Sequence, residues 1–283
     1  MIFDVSAEAY LRFMGRFSEP LAAQFADLAD LAGLVGPADP AAGNDPGPQA
    51  DPGAQTGPGT NAGRGRRLLD VGCGPGALTA ELVRRAGADA VSAVEPSASF
   101  AAAVRERLPG VDVRQAAAER LPFPPGTFDA TLAQLVVHFM ADPVLGLQEM
   151  SRVTRPGGVV AACVWDHAGG RGPLAVFWAA VHELDPAADD ESDRAGAREG
   201  DLARLFAQAG LNEIQATTLT VRARYASFDQ WWEPFTLGVG PAGAYVASLS
   251  PADRAALRDQ CRRLLPAAPG EVTATAWAVT GRT

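Results

Sequence analysis

Lysine is absent: all 24 basic side chains are arginine, set against 33 acidic residues in a chain of 283. The resulting formal charge of −9 argues against a broad phosphate-neutralising footprint, so nucleic acid is not an expected partner. Cysteine is scarce. Cys73, Cys163 and Cys261 are odd in number, far apart and without CxxC spacing, which excludes a disulfide framework and a cysteine zinc site. They read as reduced thiols of a cytoplasmic protein, and no metal is expected. No run of about 18 uncharged apolar residues is present, so neither a spanning helix nor a membrane partner is expected. The opening MIFDVSAEAYLRFMGRF carries Asp4, Glu8 and Arg12 among its apolar residues and does not read as a signal peptide.

Glycine and proline are the excess, 30 and 22 residues, while a hydrophobic fraction of 47% is ample for a full core. Thirteen of these 52 fall in residues 37–66, which contain no Val, Ile, Leu, Met or aromatic side chain. Such a stretch cannot offset ordering entropy by apolar burial and is expected to be a disordered loop. It separates an expected N-terminal helical cap, residues 1–36, from everything that follows. Within that cap Leu21, Phe25, Leu28, Leu31 and Val35 recur at helical steps.

From Arg67 strands and helices alternate. RLLDVG, AVSAVE, VDVRQ, FDATLAQLVVHF and GGVVAACVW read as five strands. Ser97 is placed to cap the helix after the second, and Asp142-Pro143 to start the one after the fourth. The alternation predicts an α/β fold, a parallel sheet with helices on both faces. Residues 214–222 and 272–280 alternate like half-exposed strands and suggest an antiparallel edge. The expected organisation is therefore a core over 67–222, a helical cap over 223–270 and a final core strand within 271–283. In the second cap Phe228, Trp231, Trp232, Phe235 and Tyr245 are expected to roof a pocket in part, with no more than one of the adjacent tryptophans facing it.

The first strand runs into Asp70-Val71-Gly72-Cys73-Gly74-Pro75-Gly76. Glycines there let the backbone turn tightly against a ligand, and the following helix offers free N–H groups. Glu95, at the end of the second strand, is placed to accept both hydroxyls of a ribose. These features indicate a nucleoside ligand without identifying it, because Gly72, Gly74 and Ala77 also satisfy the looser dinucleotide pattern.

The surrounding motifs narrow the choice. Asp70-x-Gly72-x-Gly74-x-Gly76, Glu95, Ala118-Glu119-x-Leu121-Pro122-Phe123, Phe128-Asp129 and Arg155-Pro156-Gly157-Gly158, in this order, resemble the class I S-adenosylmethionine-dependent methyltransferases. More narrowly they resemble the small-molecule group often called type 11. The resemblance implies a Rossmann-like, seven-stranded, mostly parallel sheet with an antiparallel last strand. It implies S-adenosylmethionine as cofactor, held by Asp70, Gly72, Cys73, Gly74, Gly76, Glu95 and Pro96, with Ala118 and Glu119 along the adenine. Gln134, Leu135 and His138 match the region facing methionine and substrate, and Arg16 in the N-terminal cap would reach the methionine carboxylate. Ala117 stands where relatives often carry the aspartate that binds the adenine amino group.

Methyl transfer from a sulfonium needs positioning and exclusion of water, and needs a base only when the acceptor must lose a proton. The base candidates are His138, His167, Asp166 and Tyr10, with His138 best placed. After strand four the chain reads Gln134-Leu135-Val136-Val137, not the Asp/Asn-Pro-Pro-aromatic turn used on nucleobase or glutamine nitrogens, and no Pro-Cys pair is present. A small-molecule acceptor is therefore expected. An inactive ligand-binding or scaffolding protein that keeps the fold is the alternative, and a nicotinamide-dependent oxidoreductase a third.

Overall fold

The computed structural model describes residues 6–29, 66–265 and 267–283. Residues 37–65 of the expected loop lie outside them. Helices α1 (Ala7–Tyr10) and α2 (Arg16–Ala29) are joined by a π-helical turn, Leu11–Gly15. There follow β1 (Leu68–Val71), α3 (Ala77–Ala86), β2 (Val91–Val94), α4 (Ala98–Arg107), β3 (Asp112–Arg114) and β4 (Phe128–Gln134). Next come α5 (Pro143–Val153), β5 (Thr154–Trp165), α6 (Ala175–Leu184), α7 (Asp201–Gln208) and β6 (Asn212–Tyr225). Helices α8 (Phe228–Trp232), α9 (Gly240–Ser248) and α10 (Pro251–Leu264) precede β7 (Gly270–Arg282).

The strands form one seven-stranded sheet in the order β3-β2-β1-β4-β5-β7-β6. The pairs among the first five are parallel, and β7 is antiparallel to both β5 and β6. Only β7 runs against the rest. This is the Rossmann-like sheet expected, with one correction to its edge. Strand β7 is internal, held on both sides, and its side chains are mostly buried, so β6 alone forms that edge.

Strand β5 shows why its sequence is a continuous apolar run. Val159, Ala161, Cys163 and Trp165 join the core on one face, with α2, α3 and α6, while Val160, Ala162 and Val164 join the core on the other, with α5 and α7. A strand buried on both faces cannot alternate with polar residues. The expected helix starts are also present: Ser97 accepts from the Phe100 N–H at 3.5 Å, and Asp142 from the Leu145 N–H at 3.0 Å with Pro143 in the first turn. Strand four is shorter than its apolar run. It ends at Gln134, because Leu135 takes φ 62° and Val137–Phe139 turn into a 3-10 helix.

The two caps meet. Arg12 donates to Glu233 at 2.7 Å, and Phe13 stands edge-on to Phe235 with centroids 5.4 Å apart. Arg85 on α3 reaches Asp27 at 2.8 Å and the Ala23 carbonyl at 2.9 Å, fastening α2 to the core.

Candidate functional site

In a sheet of this order the succession of strands switches from one side to the other between β1 and β4, and the carboxyl ends of the strands open a crevice there. A cavity of about 270 Å³ occupies that place. Its floor is the turn after β1, where Gly72, Gly74 and Gly76 all have positive φ, at 69°, 52° and 89°. The Gly72 and Cys73 N–H groups both donate to the Val94 carbonyl, at 2.8 and 3.0 Å, which folds the turn back over β2. A Cβ on Gly72 would stand 2.6 Å from a methyl of Val136, whereas one on Gly74 would meet nothing within 4 Å. Glycine at 72 thus allows close packing, and glycine at 74 leaves the cavity side of the turn bare.

Glu95 is locked to this turn. One carboxylate oxygen accepts from the Gly74 N–H at 2.8 Å and the other from the Ser97 N–H at 2.9 Å. Burial raises its pKa, and the two backbone bonds pull against that rise. Asp70, fully buried, accepts from the Thr79 hydroxyl at 2.6 Å, and burial pushes its carboxyl up to about 7. Gln134 donates to the Ser18 carbonyl at 2.9 Å, which brings the N-terminal cap against the cavity. The Gln134 Oε1 and the Ser18 hydroxyl are buried and have no hydrogen-bond partner among the described residues.

Ten of the twelve residues expected to hold the cofactor line this cavity: Asp70, Gly72, Cys73, Gly74, Glu95, Pro96, Ala118, Glu119, Gln134 and Leu135. Gly76 does not. It is the N-cap of α3, where an added Cβ would stand 3.1 Å from both Val104 and Arg107, so its role is packing of the turn against α4. Arg16 does not line it either; its guanidinium donates to the Arg12 carbonyl at 3.4 Å, away from the cavity. Ser18 occupies the position on the cap that Arg16 was expected to fill. The Glu119 carboxylate accepts from the Ala141 and Asp142 N–H groups at 2.7 and 3.3 Å, and Ala117 presents a methyl group.

His138 lies outside this cavity, in a smaller chamber on its flank. Tyr10, Leu135 and Phe139 line both spaces and form the wall between them. The chamber is otherwise bounded by the π turn of the cap (Phe13, Met14), by Trp165, His167, Leu174 and Glu191, and by Val239–Pro241 at the start of α9. The left-handed backbone of Leu135 sits at the junction, and strained non-glycine residues of this kind cluster at active sites and ligand clamps. Burial drives the His138 imidazole well below its usual pKa and brings His167 to about 4.

The other base candidates are accounted for. Asp166 is bound by Arg171 and by the Gly169 N–H, so it shapes the turn after β5. Tyr10 lines the wall with a phenol whose pKa burial raises. Neither Trp231 nor Trp232 lines either space, which corrects the expected roof. Both are buried against Phe228 and Phe235, with Trp231 and Phe235 centroids 4.8 Å apart, and the roof of the chamber comes from α9 instead.

Residues 69–162 match the family described as "Methyltransferase domain". Over 118 residues the chain is 34% identical to an uncharacterized methyltransferase of Schizosaccharomyces pombe, covering 35% of this chain and 42% of that one. It is 37% identical over 103 residues to a chloroplastic 2-methyl-6-phytyl-1,4-hydroquinone methyltransferase of Oryza sativa, covering 36% and 29%. With the trans-aconitate 2-methyltransferase of Rhodopseudomonas palustris it shares 36% over 102 residues, covering 36% and 40%. The matched stretch thus spans less than half the length of each of these relatives. A crystal structure of a SAM-dependent methyltransferase from Thermotoga maritima superposes with a TM-score of 0.47 at 18% identity, over 97% of this chain and 98% of that one. Residues 69–162 thus form a methyltransferase domain.

Proposed function

We propose that this protein transfers a methyl group from S-adenosylmethionine to a small molecule admitted through the chamber beside His138. The observation that carries the reading is the partition of the crevice: a cavity of about 270 Å³ and a chamber of about 30 Å³, which an acceptor would have to widen on entry, share the wall of Tyr10, Leu135 and Phe139. The donor set fits the cofactor. Glu95 offers carboxylate lone pairs to ribose hydroxyls beside the bare face of Gly74. The orphaned Gln134 Oε1 suits an ammonium donor and the Ser18 hydroxyl a carboxylate acceptor, the two charges of the methionine end. When bound, the cofactor supplies an activated methyl group on a sulfonium.

The chain's own residues position and shield. The π turn, Tyr10 and α9 line the chamber with mostly apolar surface, which favours an in-line displacement that disperses positive charge. His138 faces the acceptor. Its burial keeps the imidazole neutral, so a ring nitrogen has a lone pair to offer toward an acceptor that must lose a proton. Names among the relatives, a quinol ring and an unsaturated tricarboxylate, agree with a small acceptor. Three free buried cysteines favour the cytoplasm, and no helix among the described residues is long and apolar enough to cross a membrane.

The second reading is a protein that binds the cofactor without turnover. It is favoured by one observation: Glu119 is spent on backbone N–H groups and Ala117 is apolar, so the adenine edge lacks a free acidic partner. Incubation with methyl-labelled S-adenosylmethionine and a panel of small phenols, carboxylates, thiols and amines separates the readings. Labelled product supports transfer. Binding of S-adenosylhomocysteine with no product across the panel supports the second reading, and stabilisation by NADH in its place removes both.

A further inference from the structure

Apolar chambers rarely collect three ionisable side chains. His138, His167 and Glu191 each offer one ligand atom, and these atoms all lie within 4.8 Å of one another. They come from the 3-10 turn after β4, the turn after β5 and the loop between α6 and α7, so three separate segments converge. The cluster is enclosed by Leu135, Phe139, Trp165 and Leu174. Among the described residues His138 Nδ1 and His167 Nε2 are buried with no hydrogen-bond partner, and the imidazole centroids lie 5.7 Å apart. The Glu191 carboxylate is only partly satisfied, accepting from the Trp178 indole at 3.3 Å. Two unpaired imidazole nitrogens and a carboxylate are costly to bury unless something else meets them.

We propose that His138, His167 and Glu191 form a binding site for a divalent transition-metal ion, zinc being the probe of choice. Two histidines with one carboxylate match the donor set of catalytic sites that keep a coordination position open. Ligand atoms bound tetrahedrally at about 2.0–2.1 Å sit about 3.4 Å apart, so side-chain rotation brings the present spacing onto one ion. Local charge permits a cation. Glu191 and Asp190 face the cluster, and Asp190 lies 3.6 Å from His182. The opposing positive group is Arg194, whose guanidinium stacks 5.5 Å over Phe139, and Arg171 is already bound to Asp166.

The open position faces the chamber that shares its wall with the cofactor cavity. Use of the ion on an acceptor rests on the methyltransferase reading; the ion site itself does not. There the ion would hold an acceptor hydroxyl or thiol as its conjugate base, with the proton released to solvent. The bond from that oxygen or sulfur to the methyl carbon then forms as the carbon–sulfonium bond breaks and its pair returns to sulfur. This makes the acceptor class a hydroxyl or thiol compound rather than an amine. It also gives His138 a different task, donation of its lone pair to a cation in place of proton abstraction.

The test is a titration of the full chain, freed of metal by chelation, with zinc by calorimetry and with cobalt by visible absorption. The expected result is one equivalent bound with the ligand-field bands of a four- or five-coordinate site. His167→Gln and Glu191→Gln, each checked for a wild-type melting transition, should weaken binding by more than the roughly 10–100-fold that loss of an outer-shell partner costs. No saturable binding by the wild type overturns the site, as does one-equivalent binding that both variants retain. S-adenosylhomocysteine binding measured on the same sample keeps the two readings apart, because it reports the cofactor cavity alone.

Discussion

Removing the Glu95 carboxylate tests the cofactor cavity at its best-defined point. In Glu95→Ala the Gly74 and Ser97 N–H groups lose their acceptors, now at 2.8 and 2.9 Å, and a ribose held as proposed would lose both of its hydrogen bonds. A hydrogen bond to a charged group contributes about 1.5–3 kcal/mol, so the pair at its lower limit is worth about 3 kcal/mol. At about 1.4 kcal/mol per decade, cofactor affinity should fall by roughly 100-fold or more. Glu95→Gln keeps the volume and one acceptor oxygen but loses the charge, and should fall between the two, by about tenfold. Folding responds differently. Glu95 is buried and its charged form is disfavoured there, so part of the cost of the two freed N–H groups is offset by the charge no longer buried. Calorimetric titration with S-adenosylhomocysteine reads the affinities, and thermal melting reads the fold. Equal affinity in Glu95→Ala and wild type, with both folded, would refute the assignment of this carboxylate to the ribose.

Three further outcomes are expected. Asp70 carries a folded-state pKa raised to about 7 from 3.8, so the folded protein holds a proton that the unfolded chain releases between these values, and stability falls as pH rises across that window. Asp70→Asn should flatten the decline of melting temperature between about pH 4 and 7, and an unchanged slope would place the titration elsewhere. Gly72→Ala should abolish S-adenosylhomocysteine binding, because its Cβ would enter Val136 at a φ of 69°; Gly87→Ala, at φ 84° with nothing within 4 Å, should bind normally at a strain of about 1–3 kcal/mol. Phe235→Ala should cost about 3–5 kcal/mol in denaturant unfolding, since that ring is buried between Phe177, stacked at 4.6 Å, and Trp231.

What could be read from the sequence was local. The glycine turn, Glu95, the Ser97 and Asp142 caps and the doubly apolar β5 each declare themselves within a few residues, and the structure has them where they were expected. Long-range placement was not readable in the same way. The alternation of β7 gave no sign that it enters between β5 and β6, because strand order depends on pairing across more than a hundred residues of chain. Arg16 and Ser18 are two positions apart on one helix, and only the packing of α2 decides which faces the cavity. His138, His167 and Glu191 share no motif spacing at all. Trp231 and Trp232 suggested a pocket lining by their composition, and the aromatic cluster around Phe235 absorbed them.

The position of β7 also orders the assembly of the molecule. Among the described residues strand β6 pairs only with β7, so until residues 270–282 have been synthesised and docked it has no place in the sheet. The β5 flank meanwhile offers an unpaired, apolar edge to any other strand that arrives first. Closing a contact between β5 and a segment more than a hundred residues away is slow relative to the local pairing of β1, β2 and β4. The half of the sheet built from β1, β2 and β4 can therefore form early and wait, and it is the seam at β5 that a chaperone would have to guard.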